Sequence, residues 1–444
     1  MPSPPPVAKH KIGPVVAISL SVGLVTAIVG VLILFGGAPE NVIAGVGLLS
    51  FATGWALLAV LSTLLTDQPQ RWATVPAVVF AVAGVGLLAW PGSISNDMLS
   101  WAWPIVLLVL TVGMTAGARQ QMRSRAKAWL LYPIFAVLAV AAVAALWESV
   151  QERRDRSRMV MRGRLVDIGG RRLFLRASGE GGPTVVLMPG AGVTATSWAS
   201  LEPLVARGTQ VCVFDRAGRG WSESAAGPQD GRQMAADLHT LLSRAQITGP
   251  YVLVGHSFGG LLALTFAAEY PRDVAGMVLL DSTHPEMFTR MRTYPTFYAG
   301  IRRASALFPS LARLGIGRWV YHSDFDYLPP ADRDVESAFW YTARHARSQR
   351  DEWAEAPELM KQAGSLKTLG DRPLIVVTAA RDAQEGWRPL QDDLARLSSN
   401  SAHRVVPGAS HSSLVETQTN VELVNRAIQD VVEAVRMSAP VRHS

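Results

Sequence analysis

The chain has 444 residues, 49% of them hydrophobic, with a single cysteine and a formal net charge of +7. That length calls for more than one folding unit, and one cysteine excludes an internal disulfide and a cysteine-based zinc site. The positive balance does not make a nucleic-acid binder, because the arginines are scattered or flank apolar spans and form no stripe interleaved with aromatics.

Residues 1–147 read as an all-α, multi-pass transmembrane region of about five helices. Apolar runs near the roughly 20-residue spanning length occur at 14–35, 42–65, 72–90, 101–118 and 128–147, with no charge in their interiors. Trp72, Trp90, Trp101, Trp103 and Trp147 stand at span ends, where an amphipathic ring prefers the headgroup layer. A cleavable signal peptide would account only for the first run. Transport and proton relay need ionisable groups within the bilayer, so the region reads as a holder. One further expectation is helix association through Gly113-x-x-x-Gly117.

Basic residues near span ends set orientation. Lys9, Lys11, Arg71, Arg119, Arg123, Arg125 and Lys127 lie on one side, against Arg153, Arg154, Arg156, Arg158, Arg162 and Arg164 on the other. The counts nearly balance. Lys9 and Lys11 before the first span keep the N-terminus inside, which puts the C-terminal domain outside the cytoplasm.

Residues 148–163 form a charged linker, read as a solvated helical neck. Beyond it, β-runs are expected at 164–168, 172–176, 184–188, 210–214, 251–254, 276–280, 374–378 and 402–406. Gly169-Gly170 turns the first two into a hairpin. Helical stretches are expected at 196–206, 231–245, 258–270, 388–397 and 417–436. Repeated βα units make a mostly parallel sheet covered on both faces, with reactive groups at the carboxyl ends of its strands. Cys212 falls in the run at 210–214 and reads as a buried strand residue.

The chemistry centres on Gly255-His256-Ser257-Phe258-Gly259-Gly260. This Gly-x-Ser-x-Gly follows an apolar run and opens a helix, the context of a nucleophile elbow. Small residues let the flanking backbone pass close together, and Ser257 is pushed out where a base can reach it. His411, on the loop Pro407-Gly408-Ala409-Ser410 after the last strand, is the expected general base. The other histidines fit less well: His256 is tied into the elbow, His239 lies on a helix, and His322 and His345 lie in an insert. The orienting acid should lie between serine and histidine in the chain. Asp382, after the strand at 374–378, is the first choice, and Asp281, ending the strand at 276–280, is the reserve. Two backbone donors should hold a developing oxyanion: the N–H of Phe258 and that of Ala191, in the loop Met188-Pro189-Gly190-Ala191-Gly192.

Residues 164–437 resemble the α/β-hydrolase superfamily, near its esterase and lipase-like members. The resemblance rests on Gly190-Ala191-Gly192 with Trp198, on Phe214-Asp215-Arg216-Ala217-Gly218-Arg219-Gly220-Trp221-Ser222, on the elbow, and on Asp382 and His411. It implies a mostly parallel eight-stranded α/β sheet with a helical lid at about 286–370. It also implies a serine hydrolase that needs no cofactor and no metal. Many relatives carry His-Gly at the oxyanion loop; Pro189-Gly190 here keeps the backbone donor and loses the histidine side chain. Relatives that open epoxides or displace halide use aspartate at the elbow, so Ser257 implies an acyl-enzyme from an ester, thioester or amide.

The insert is rich in aromatics, among them Phe288, Tyr294, Phe297, Tyr298, Trp319, Tyr321, Phe339, Trp340 and Trp353. Most should form the lid's own core. An aromatic lid beside a membrane anchor favours a hydrophobic or lipid-like ester, with membrane lipids as surroundings and oligomeric state left open. Two rival readings remain. Gly190-x-Gly192-x-x-Ala195 with Asp215 mimics a dinucleotide fingerprint, though a hairpin precedes its strand. An inactive hydrolase fold kept as a membrane receptor or partner module would tolerate loss of Ser257.

Overall fold

The structure, a computed structural model, describes residues 11–92, 96, 98–123, 130–320, 325–381 and 383–442. Lys9, Arg125, Lys127, Tyr321, His322 and Asp382 lie outside the described residues. Two compact units emerge. One comprises residues up to Asp155 together with Arg303–Ile316, and the other Arg156–Arg302 with Gly317 onward.

Five helices in the first unit are long and apolar enough to cross a membrane: α1 Ile12–Leu34, α2 Glu40–Leu65, α3 Arg71–Ala89, α4 Met98–Gln121 and α5 Tyr132–Arg158. Each has an apolar run as its cause, and α2, α3 and α5 extend past that run onto the charged residues Glu40, Arg71 and Glu148. The stretch 148–158 of the expected linker is thus the last three turns of α5. Small residues set the packing. A Cβ on Gly23 would lie 3.1 Å from the Gly54 Cα, and one on Gly84 2.9 Å from the Gly45 carbonyl oxygen. The α1–α2 and α2–α3 backbones therefore touch through glycine pairs, the contact that lets apolar helices associate where hydrophobicity alone does not drive it. Gly117 is used within the unit too: a Cβ there would lie 2.5 Å from Trp72 Cβ, whereas Gly113 has open space. Trp55, Trp72 and Phe135 form an aromatic core with centroids 5.8–6.3 Å apart, while Val75, Val78, Val82 and Val85 leave an apolar stripe exposed along α3. The segment Arg303–Ile316, from the aromatic-rich insert, belongs to this unit. Its Arg313 Nε lies 2.7 Å from Glu40 Oε1, and both side chains are largely buried.

The second unit is an eight-stranded sheet: β1 Arg164–Asp167, β2 Arg172–Ser178, β3 Val185–Met188, β4 Val211–Phe214, β5 Tyr251–His256, β6 Val274–Leu280, β7 Leu374–Ala379 and β8 Ser401–Val406. Their spatial order is β1-β2-β4-β3-β5-β6-β7-β8. β1 and β2 form the expected hairpin and β2 runs antiparallel to β4; the pairings from β4 through β8 are all parallel. Because successive side chains point to opposite faces, the apolar central strands split into two cores. Val186, Met188, Leu253 and Leu279 join one face with helices α6 Gly231–Arg244 and α7 Phe258–Glu269. Val185, Leu187, Val254 and Val278 join the other with α12 Gln418–Met437. Burial on both sides is why these strands read as continuous apolar runs. Cys212 is buried in β4, and burial pushes its thiol up to about 12.

Between β6 and β7 the insert includes α8 Tyr294–Ser305, α9 Pro330–Trp340 and α10 Ala343–Ala363, and α11 Trp387–Ala395 links β7 to β8. Within the insert Tyr294, Phe325, Phe339 and Tyr341 are buried, and Phe297 and Trp319 are exposed. The helix expected at 196–206 is instead a 3-10 turn, Ala195–Trp198, and a short helix, Glu202–Val205. Thr194 caps the turn by accepting from the Thr196 N–H. That cap opens a tight turn on a buried loop and leaves no room for a long helix start.

Candidate active site

The turn after β5 places Ser257 at φ 54°, ψ −122°. A non-glycine residue pays for such a backbone, and strain of this kind persists only where the surroundings dictate it. Here they do. The Ser257 N–H donates to the Leu280 carbonyl, and its own carbonyl accepts from Gly260 and Thr283. A Cβ on Gly255 would lie 2.6 Å from the Gly259 carbonyl, and one on Gly259 2.1 Å from the Met188 carbonyl. The two glycines are therefore obligatory for passing β5 and α7 between β3 and β6.

His411 approaches the elbow from the loop after β8. Its Nδ1 lies 2.7 Å from Asp281 Oδ2, and its carbonyl accepts from His256 Nε2 at 3.1 Å. The acid on the histidine is thus the reserve candidate, Asp281. The first choice, Asp382, lies outside the described residues. Asp281 ends β6 with φ 41° and is fully engaged: its Oδ1 accepts from the Trp387 indole N–H at 2.7 Å and the Ala379 N–H at 3.1 Å. The Asp281 carboxylate is buried, whereas the His411 ring is half exposed. With Nδ1–H given to Asp281, the lone pair of His411 Nε2 is left for an incoming proton. Burial, and then His411, pull His256 down to about 3. It is a neutral strut that donates through Nε2 and positions the His411 loop.

Gly190 lies alongside the nucleophile, since a Cβ built on it would come 3.4 Å from Ser257 Cβ. The N–H groups of Ala191 and Phe258 have no acceptor among the described residues. Phe258 begins α7, where a first-turn N–H has no intrahelical partner. Both expected oxyanion donors therefore lie in segments flanking Ser257 without a protein acceptor among the described residues.

Side chains that motif reading did not assign hold the loop from behind. Arg216 donates to the Pro189 and Gly190 carbonyls, each at 2.7 Å, and to Glu352 Oε1 at 2.7 Å. Glu352 Oε2 accepts from the Gly192 N–H at 3.0 Å and from Arg219 at 2.6 Å. His345 Nε2 donates to the Gly192 carbonyl at 2.6 Å, and Glu336 accepts from the Thr194 N–H and hydroxyl. Three of these helpers, Glu336, His345 and Glu352, come from helices far along the chain. Arg216 stood in plain sight inside a quoted motif, but nothing in its spacing names a partner 136 residues away.

The dinucleotide alternative fails on the same geometry. Asp215, the residue that would take a ribose, is buried and spends its two oxygens on the Ala195 N–H at 2.8 Å and the Trp221 N–H at 3.0 Å. No group of three or more histidine, cysteine, aspartate or glutamate side chains able to hold a metal occurs among the described residues.

Residues 185–426 match the model of the Alpha/beta hydrolase family. The chain belongs to this family. The hydrolase-family protein is 32% identical over 272 residues to the uncharacterized protein YqjL of Bacillus subtilis, covering 59% of this chain and 88% of that one. It is 33% identical over 153 residues to a Klebsiella pneumoniae 2-hydroxy-6-oxononadienedioate/2-hydroxy-6-oxononatrienedioate hydrolase, covering 32% of this chain and 51% of the relative. Against an uncharacterized Schizosaccharomyces pombe relative, 27% identical, the match spans only 39% of that protein's length. Among solved structures, a mutant of DBJA superimposes with a TM-score of 0.52 at 16% identity, over 62% of this chain and 99% of the other. The fold is thus shared across sequences of low identity, and the five apolar helices lie outside the family match.

Proposed function

We propose that this α/β-hydrolase is a membrane-anchored serine hydrolase that cleaves a hydrophobic or lipid-like carboxylic ester through an acyl-enzyme. Ser257 is the nucleophile, His411 the general base and Asp281 the orienting acid, replacing Asp382 in that role. Ala191 and Phe258 supply the oxyanion donors. The observation that carries the reading is the 2.7 Å bond from His411 Nδ1 to Asp281, on a loop bonded to His256, the residue before the strained Ser257. That bond selects the tautomer whose Nε2 can take the serine proton.

In acylation Ser257 Oγ attacks the ester carbonyl as His411 Nε2 takes its proton. Charge on the carbonyl oxygen is met by the two free N–H groups. His411 then protonates the departing alkoxide and the acyl group stays on Ser257. A water, deprotonated by His411, releases the acid and restores the serine. The aromatic insert and the five apolar helices support a hydrophobic acyl group and a membrane setting with membrane lipids as the surroundings; Lys9 and Lys11 before the first span favour a catalytic unit outside the cytoplasm.

Fluorophosphonate labelling of the full-length protein in membranes tests the reading. Labelling of the parent, absent in Ser257→Ala and reduced at least 10³-fold in rate in His411→Ala, is the expected result. A parent that does not label, with unchanged phenotype in Ser257→Ala, would favour an inert partner module. A chain-length series of p-nitrophenyl esters tests substrate class, with longer acyl chains expected to be turned over faster than acetate.

A further inference from the structure

We infer that Arg216, held by Glu352 of the lid helix α10, is the positioning residue of the oxyanion loop, so that the lid is a built-in part of the catalytic geometry. This rests on the serine-hydrolase reading above.

The argument begins with the peptide unit. The Gly190 carbonyl and the Ala191 N–H belong to one planar group and point in opposite directions. Arg216 holds that carbonyl at 2.7 Å and the preceding one, of Pro189, at 2.7 Å. Fixing the back of the plane aims its front, the Ala191 N–H, at the space beside Ser257. Two parallel donors on two consecutive carbonyls are a geometry for the flat guanidinium fork, and an ammonium cannot reproduce it. The same guanidinium carbon stands 5.4 Å from the ring centroid of Phe258, the other donor residue. The same side chain therefore holds the loop of one expected donor and packs over the ring of the residue that carries the other.

Glu352 completes the device. It binds Arg216 Nε through one oxygen and the Gly192 N–H through the other, bracketing Ala191 from both sides. The cluster is buried: the Arg216, Arg219 and Glu352 side chains are 3%, 0% and 7% exposed. Burial raises the Glu352 carboxyl, but the two arginines and the Gly192 N–H outweigh it and hold the group ionised. The loop carries Pro189 where many relatives carry histidine, and the arginine and lid glutamate supply the lost support from the other side.

The test uses the full-length, detergent-solubilised protein with Arg216→Lys and Glu352→Gln beside the parent. Steady-state hydrolysis of p-nitrophenyl butyrate is measured together with hydrogen exchange of the peptide covering residues 189–196 and the melting temperature. Both variants are expected to lose at least about 10²-fold in kcat, with KM within about threefold of the parent and faster exchange in that peptide. Arg216→Lys, which keeps the charge, is expected to fare no better than Glu352→Gln, because aim rather than charge is lost. Parent-like kcat in both variants, or a kcat loss with unchanged exchange, would overturn the inference. So would exchange that rises across the whole protein together with a collapsed melting temperature. If the parent neither labels nor hydrolyses, the serine-hydrolase reading fails. A parent that works beside variants that also work removes only the clamp.

Discussion

At the scale of single residues, the choice of acid is the sharpest question. Asp281 and Asp382 both lie in the chain between the proposed nucleophile and the proposed base, and a one-dimensional pattern has no means of ranking them. The hydrogen bond from His411 and the two donors on the other Asp281 oxygen supply the ranking. Asp281→Asn is expected to lower kcat by about 10⁴-fold by presenting the wrong tautomer of His411. Asp382→Asn is expected to leave kcat within a few-fold of the parent. Ester hydrolysis by the two variants, side by side, checks this. A second prediction concerns acid. His256 and His345 are buried uncharged, both pulled down chiefly by burial. The unfolded chain takes up protons below about pH 6.5 that these groups refuse, so both contribute stability that is lost as pH falls below that value. Glu336 acts in the opposite sense, since burial raises it to about 7. Its folded state holds a proton that the unfolded state releases, so it contributes stability present below the unfolded carboxylate range and lost as pH rises to about 7. Glu336→Gln keeps a partner for Thr194 and removes that titration. Thermal melts between pH 5 and 8 should show the variant losing more stability on acidification than the parent does.

At the scale of elements, the β5–α7 elbow depends on backbone approach. The hydrophobic runs made β3, β5, β6 and β7 legible because burial on two faces removes any alternation. The elbow itself was legible because glycine is the only residue that allows its contacts. Where sequence reading went astray, at the helix expected over 196–206, the deciding force was tertiary: the Ala195 and Thr194 amides are bound by Asp215 and Glu336 rather than by a helix's own carbonyls. Gly259→Ala should be severely destabilising, because its Cβ would sit 2.1 Å from the Met188 carbonyl. No flexible side chain can yield there, so β3 or α7 must move. The expected outcome is a large drop in melting temperature and loss of fluorophosphonate labelling. Parent-like values for both would mean that the elbow is looser than described.

For the molecule as a whole, the segment Arg303–Ile316 couples the insert's sequence to the apolar-helix unit through Arg313 and Glu40. Removing one partner of a buried pair costs on the order of 3–5 kcal/mol, whereas apolar replacement of both can be neutral. Arg313→Met is therefore expected to lower the melting temperature of the detergent-solubilised protein, and Glu40→Met in the same chain to restore most of it. A single variant as stable as the parent would make the pair dispensable.

The sequence alone determined what depends on local composition and periodicity. Five apolar runs of spanning length specify helices that hide their own backbone polar groups. β-runs that alternate with helical stretches specify the parallel sheet, and Gly-x-Ser-x-Gly at a strand end specifies the elbow. These are encoded over neighbouring residues, so they can be read in a line. Only the tertiary structure showed that Asp281 meets His411, that Trp387 steadies it, and that Arg216 and a glutamate 136 residues later grip the loop at 189–192. It also showed that Gly117 packs on Trp72 within the chain, while Gly113 has open space around it. Such pairings are made by the closing of the sheet and the folding back of the insert, which bring together side chains whose separation along the chain carries no periodic signal.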